Sequence, residues 1–181
     1  ARYLTGDAFT MGAWVAPAAD MSNDGVVLAF NGDGGGNRNT LMLDAETGRF
    51  FYRDDEAKRV YSAGTYSDET WHHVMVVFEA DEDATLYVNG DQAATFKTPV
   101  RPDSDSTFNV GQEWDGAAPS EFFKGRIDEV VVLDRALSAD EVRAYFGDPI
   151  LALPLDESAG ATAFEDVSSF GNDARCSGEA C

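Results

Sequence analysis

The stretch Phe123-Lys-Gly-Arg-Ile-Asp-Glu-Val-Val-Val-Leu-Asp-Arg-Ala-Leu-Ser-Ala-Asp-Glu-Val-Arg-Ala-Tyr-Phe146 constrains the fold of this chain more than any other, because a strand, a corner and a capped helix follow one another in it. Ile127, Val130, Val131, Val132 and Leu133 are the β-branched and aliphatic residues that a buried strand takes. Ser138 then opens a helix. Glu141, three residues on, completes a capping box, and Leu137 stands in the position of a hydrophobic staple. The helix is predicted to run through Phe146 and to stop at Gly147, with Pro149 beyond it.

The rest of the chain alternates apolar and polar residues with turn signals between, the pattern of half-buried strands in two packed sheets. Phe9 to Val15, Val26 to Phe30, Leu41 to Leu43 and Phe50 to Tyr52 are the predicted early strands. Trp71 to Glu79 is the clearest central strand: Val74, Val76 and Phe78 share one face and His73, Met75 and Val77 the other. Apolar character on both faces predicts burial on both. From Leu86 to Phe96 the pattern is a hairpin, with Asn89-Gly90 supplying the two positive-φ residues of a type I′ turn. Thr107 to Val110 and Phe122 to Leu133 complete the strands, and no repeat of 20 to 50 residues is present.

At 181 residues the chain is the size of a single all-β domain and long enough to bury a core without staples. Thirteen basic residues stand against 33 acidic ones, for a formal net charge of −20. That balance argues against nucleic acid and anionic membrane surfaces as partners. The carboxylate surplus suits divalent cations or simply a solvated acidic surface. No apolar run reaches the eighteen or so residues of a membrane span, and no signal peptide precedes Ala1, so the chain reads as a mature or excised segment. Cys176 and Cys181 lie in a Gly-, Ser- and Asp-rich tail; their spacing suits a small-loop disulfide and an oxidising compartment, with free thiols as the other reading.

Four motifs, in order, carry a family resemblance: Phe9-Thr-Met-Gly-Ala-Trp14-Val, Trp71-His-His-Val, Leu86-Tyr-Val-Asn-Gly90, and Gly125-Arg-Ile-Asp-Glu-Val130 with its Arg135-Ala-Leu-Ser helix start. Together they resemble the laminin G-like jelly roll of the concanavalin A-like lectin and glucanase superfamily. The resemblance implies an antiparallel two-sheet jelly-roll sandwich with one short helix in its C-terminal half. Residues from Ile150 to Asp173 look like that family's opening segment, displaced to the end of the chain. We therefore divide the chain into a sandwich, residues 1–149, and a displaced opening segment, residues 150–181. That segment is expected either to fold back into its own sheet or to add a strand to a neighbouring copy, head to tail.

The same resemblance implies a structural calcium. Calcium takes six to eight oxygen ligands, so a strand and loops must converge on it. Carried over by motif, the ligands are Asp128 with Asp156, Glu157, Asp166 and Asn172, against the alternative that Asp128 is only a strand carboxylate paired with Arg126 or a backbone group. The glycine-rich loop offers Asp33, Asn37 and Asn39 as a second candidate for calcium or sugar. Trp114, in the polar stretch Gly111-Gln-Glu-Trp-Asp-Gly116, is the candidate for stacking on a sugar ring, against the alternative that it folds over its own loop.

Catalysis is the weakest reading. Glu79-Ala-Asp81-Glu-Asp83 imitates the alternating carboxylates of family glucanases, but it runs into a loop and ends in aspartate. His72 and His73 point to opposite faces of a strand and cannot chelate one ion. The expectation is an extracellular or cell-surface, non-catalytic adhesion or carbohydrate-binding module of a larger surface protein, with a glycan or an extracellular protein as its partner, or else a fibre protomer that donates its C-terminal segment to the next copy. No cofactor beyond calcium and no membrane insertion are expected.

Overall fold

The structure is a computed structural model that describes residues 7–31, 39–54, 58–98, 101–102, 106–147, 163–164 and 174–175. Its early strands are β1 (Phe9–Pro17), β2 (Gly25–Asn31), β3 (Asn39–Leu43), β4 (Phe50–Asp54) and β5 (Arg59–Tyr61). Then come β6 (His72–Phe78), β7 (Asp83–Val88), β8 (Asp91–Lys97), β9 (Thr107–Val110), β10 (Glu113–Asp115), β11 (Ala118–Ser120) and β12 (Gly125–Leu133). Helix α1 spans Ala139–Phe146, followed by the two-residue strands β13 (Ala163–Phe164) and β14 (Ala174–Arg175).

Two five-stranded antiparallel sheets face each other, ordered β12-β1-β6-β7-β8 and β5-β4-β3-β2-β9. The expected antiparallel sandwich is what forms; β1 to β4 extend one or two residues beyond the sequence reading, while β6 and β12 are shorter than expected. Between the sheets, Phe9, Met11, Ala13 and Val15 of β1 meet Val74, Val76 and Phe78 of β6, Leu41 and Leu43 of β3, and Phe50 and Tyr52 of β4. Phe9 stacks on Phe78 with ring centroids 4.0 Å apart. Burial of these large aromatics is the main term holding the layers together.

The β7–β8 hairpin turns on Asn89 and Gly90, whose φ of 53° and 78° are the left-handed pair that a type I′ turn requires. A Cβ at Gly90 would also come within 2.9 Å of the Phe146 ring, so the position demands glycine twice over. The opposite face of β6 is buried as expected: Met75, Val77 and Tyr87 pack beneath Leu137 and Val142.

Both halves of the capping box are present in α1. Ser138 Oγ accepts from the Glu141 N–H at 3.3 Å, and Glu141 Oε2 accepts from the Ser138 N–H at 2.8 Å. Leu137 and Val142, the positions flanking this box, form the staple. Thr10 straps the corner to the sheet, donating to the Arg135 carbonyl at 2.8 Å and accepting from the Leu137 N–H at 3.2 Å. The helix stops at Gly147 as expected, but with φ −166° and not in the left-handed conformation; its N–H caps the Arg143 carbonyl.

The sequence reading missed β5 and the β10–β11 hairpin. Gly111 to Gly116 reads as a polar loop because its strands are three residues each and their partners are one another. Glu79 to Asp83 is not a strand with alternating carboxylates: a 3₁₀ turn, Ala80–Glu82, interrupts it, and Asp81 has φ 64°.

Residues 163–164 and 174–175 pair with each other and with neither large sheet. The rest of the displaced opening segment, residues 150–162, 165–173 and 176–181, lies outside the described residues.

Candidate functional site

The outer face of the second sheet carries a buried polar network. Arg53, on the outward side of β4, sits under the β10–β11 hairpin. Its Nη2 donates to Glu113 Oε1 at 2.8 Å and to Glu121 Oε2 at 2.6 Å, while Nη1 donates to Glu121 Oε1 at 3.0 Å. Glu113 is 0% exposed, so its charge is tolerable only because it is paired. Asn31 Nδ2 donates to Glu113 Oε2 at 3.0 Å, Asn109 Nδ2 to Asn31 Oδ1 at 3.3 Å, and the Trp114 indole N–H to Asn109 Oδ1 at 3.0 Å. One chain of donors thus runs from Trp114 through two amides to a carboxylate that the guanidinium holds. Burial weakens the Glu121 carboxylate as an acid, but the Arg53 hydrogen bonds and charge outweigh it and hold its pKa below the ordinary value.

Glu121 reaches from this network into an open cleft. The cleft has a volume of about 630 Å³ and is lined by Ser22, Asn23, Asp24, Ala45, Glu46, Glu121 and Phe122. Phe122 is 61% exposed, an unusual setting for a large aromatic beside a well-packed sheet. Backbone pairing fixes it there: Val26 bridges to Phe122, and the Val26 N–H donates to the Glu121 carbonyl at 2.8 Å. Glu121 has φ 48°, a left-handed conformation for a residue with a Cβ. Across the cleft, Asp24 is steadied by the Ala45 N–H at 3.1 Å and by Arg59 at 3.1 Å.

The structure distributes the sequence candidates differently. Trp114 does not lie on a free loop: it belongs to β10, is half-buried, and spends its indole N–H inside the network. Asn39 is 0% exposed and accepts from the Tyr52 hydroxyl at 2.8 Å, which turns it toward the interior and leaves it no surface for a ligand. Asp33 and Asn37 lie outside the described residues. So do Asp156, Glu157, Asp166, Asn172 and both cysteines, Cys176 and Cys181.

Asp128 is exposed on β12, beside Glu129, whose N–H it accepts at 2.8 Å. Among the described residues no group of three or more His, Cys, Asp or Glu is placed to hold a metal, and the other four residues of the expected calcium set lie outside them. His72 and His73 diverge as expected. His72 Nε2 lies 2.8 Å from Asp68, which holds the Asp68 carboxyl down to about 2, while His73 is buried on the other face.

Arg53, Glu113, Glu121, Phe122 and Asp24 were not singled out from the sequence. Glu113 and Glu121 stand 60 and 68 residues from Arg53, and no local pattern announces a pairing at that range.

A sandwich with a helix on one sheet and a polar cleft over the other defines a class, the jelly-roll lectin-like domains. A family model described as the concanavalin A-like lectin/glucanases superfamily matches residues 1–143. The chain belongs to that superfamily, in its laminin G-like branch. No curated protein matches it. Among solved structures it is similar to a heptameric SAP-like pentraxin from Limulus polyphemus, at 18% identity and a TM-score of 0.64, covering 78% of this chain and 70% of that one. It is also similar to the CBM40 module of the Ruminococcus gnavus IT-sialidase, at 16% identity and a TM-score of 0.66, covering 78% of this chain and 83% of that one. That module has also been solved bound to alpha2,3 sialyllactose. Trypanosoma rangeli sialidase matches at 20% identity and a TM-score of 0.59, covering 77% of this chain but 22% of the sialidase. At these identities the likeness is one of fold.

Proposed function

We propose that this chain is a non-catalytic carbohydrate-binding module of an extracellular or surface protein, and that it binds a neutral glycan in the cleft beside Phe122. The observation that carries this reading is the exposed Phe122 ring, fixed by backbone pairing next to a hydroxyl, an amide and carboxylates. A pyranose ring offers a flat apolar face for such an aromatic and hydroxyls that donate to carboxylates, the combination that small-molecule sites of this kind use. Solved carbohydrate-binding relatives of the fold support the class of ligand. The charge of the lining argues for its neutrality. Asp24, Glu46 and Glu121 line the cleft, the nearby guanidiniums of Arg53 and Arg59 are already paired with them, and an acidic sugar is repelled.

The buried network serves this site by position. Arg53 pulls Glu121 into one orientation from below, so the carboxylate presented to the cleft is held before a ligand arrives and little ordering entropy is lost on binding. Among the described residues no helix is long and apolar enough to cross a membrane. Calcium rests on the resemblance alone and takes no part in this mechanism. The described residues of the tail, 163–164 and 174–175, pair with each other and give the fibre reading no support.

Titration against a panel of neutral and sialylated oligosaccharides tests the proposal. A neutral ligand is expected to bind, and Phe122→Ala to weaken it at least about tenfold, equivalent to about 1.4 kcal/mol, with the fold intact. Absence of binding across the panel, or binding unchanged in Phe122→Ala, counts against it.

A further inference from the structure

A second cleft lies on the opposite side of the molecule, on the sheet face that carries α1. Its volume is about 320 Å³, at the low end of the range of about 300–1,000 Å³ usual for small-molecule sites, and it is lined by Trp14, Trp71, Asp128 and Glu129. We propose that this cleft binds a hexosamine with a free ammonium group, its ring against the indoles and its charge against the carboxylates. This site stands independently of the glycan cleft.

The cleft follows from strand register. On the outward face, β1 places Trp14 opposite His73 of β6 and Asp128 of β12. The helix covers only the neighbouring part of that face and ends against this row, where Phe146 stacks on Trp14 at 5.7 Å and 22°. Trp71, just before β6, is 39% exposed and lies under the Arg126 guanidinium, 5.0 Å from its ring centroid. Both indoles are therefore held by neighbours before any ligand arrives. A β-bulge then sets the carboxylates. Between Gly12 and Trp14 one residue of β1 faces two of β12, and Glu129 takes φ 48°. The bulge brings Asp128 and Glu129 to the cleft as neighbours, where strict alternation sends adjacent residues to opposite faces.

The chemistry selects the ligand. Neither Asp128 nor Glu129 makes an ion pair among the described residues, and Asp128 has only the Glu129 N–H. Two uncompensated carboxylates against one guanidinium, in a chain of net charge −20, repel an anion and leave a neutral ligand nothing to neutralise them. A cation is favoured, and aromatic faces attract cations as well. Arg126 on Trp71 shows that this indole accepts one. Two indole faces beside the carboxylates suit a ring with an apolar side better than a lone alkylammonium chain.

Tryptophan fluorescence titration at about pH 6, where the amine of the ligand is protonated, tests the proposal with three probes. The glucosamine trimer is expected to bind saturably, and the N-acetylglucosamine trimer and trilysine about tenfold or more weakly. Trp71→Ala should abolish binding, Glu129→Gln should weaken it about tenfold, and Phe122→Ala should leave it unchanged. The proposal is overturned if the glucosamine trimer does not bind, if the acetylated trimer binds equally, or if trilysine binds as tightly. Should Trp71→Ala fail to fold by circular dichroism, Glu129→Gln, at an exposed residue, decides: unchanged affinity there overturns the proposal too.

Discussion

Mild acid should destabilise this protein through one residue, His73. The ring is 2% exposed, lying under Trp14 at 5.5 Å and near Phe146 at 6.3 Å, and its Nδ1 has no hydrogen-bond partner. Burial alone pushes its pKa down from 6.5 to about 4, because the imidazolium is poorly solvated there. For a histidine lowered on folding, the neutral form belongs to the native state. As pH falls through 6.5, the unfolded chain takes up a proton that the folded chain refuses, and stability declines until the folded ring titrates near 4. At 1.36 kcal/mol per unit, this single linkage amounts to about 2 kcal/mol by pH 5 and about 3 kcal/mol by pH 4. The assay is urea unfolding at about pH 8 and about pH 5 for the wild type, His73→Phe and His73→Leu. Wild type is expected to lose about 2 kcal/mol more than either variant between the two conditions. Asp68, held at about 2, contributes only at lower pH, since its depressed pKa costs stability as pH falls from 3.8 toward 2. Equal losses in wild type and both variants would refute the reasoning, because the ring would then be protonated in the fold as readily as out of it.

Two further outcomes follow from the buried network and the helix cap. Arg53→Met leaves Glu113 buried without its cation and should cost about 3–5 kcal/mol in urea unfolding, with Glu113→Gln in the same chain recovering part of the loss; a cost below about 1 kcal/mol would mean that water already reaches Glu113. Ser138→Ala removes the Oγ acceptor of the Glu141 N–H and should cost about 1 kcal/mol by the same measurement, without altering binding at either cleft.

What was legible in the sequence was what short segments encode by themselves. Asn89-Gly90 commits its segment to a turn because two adjacent residues must take positive φ. Ser138 and Glu141 commit theirs to a helix start because each side chain satisfies the other's backbone. Period-two alternation placed the two faces of β6 correctly, since Val74 and Met75 cannot point the same way. The motif-based resemblance supplied the sheet arrangement that these local signals lack. Where local chemistry ran thin, the reading went astray. The three-residue strands around Trp114 are too short to show alternation, and Asn39 looks like a loop amide until Tyr52 claims it.

The candidate sites were much less visible, and the reason is distance along the chain. Arg53 reads as one more charged residue at a strand end, and Glu113 as one more acid in a polar stretch; only the hairpin folding across the second sheet makes them a pair. Trp14, Trp71 and Asp128 are likewise 57 residues or more apart, and register brings them to one cleft. Glu129 adds a backbone effect that no residue-by-residue propensity announces, because a bulge arises from the mismatch of two strands. The amino-acid order by itself determined the faces of the strands, the hairpin and the capped helix, all of which rest on chemistry within a few residues. Tertiary structure alone decided which acids are paired, which aromatics remain exposed and where they meet, because those outcomes depend on desolvation by partners that the chain brings together only when the two sheets close.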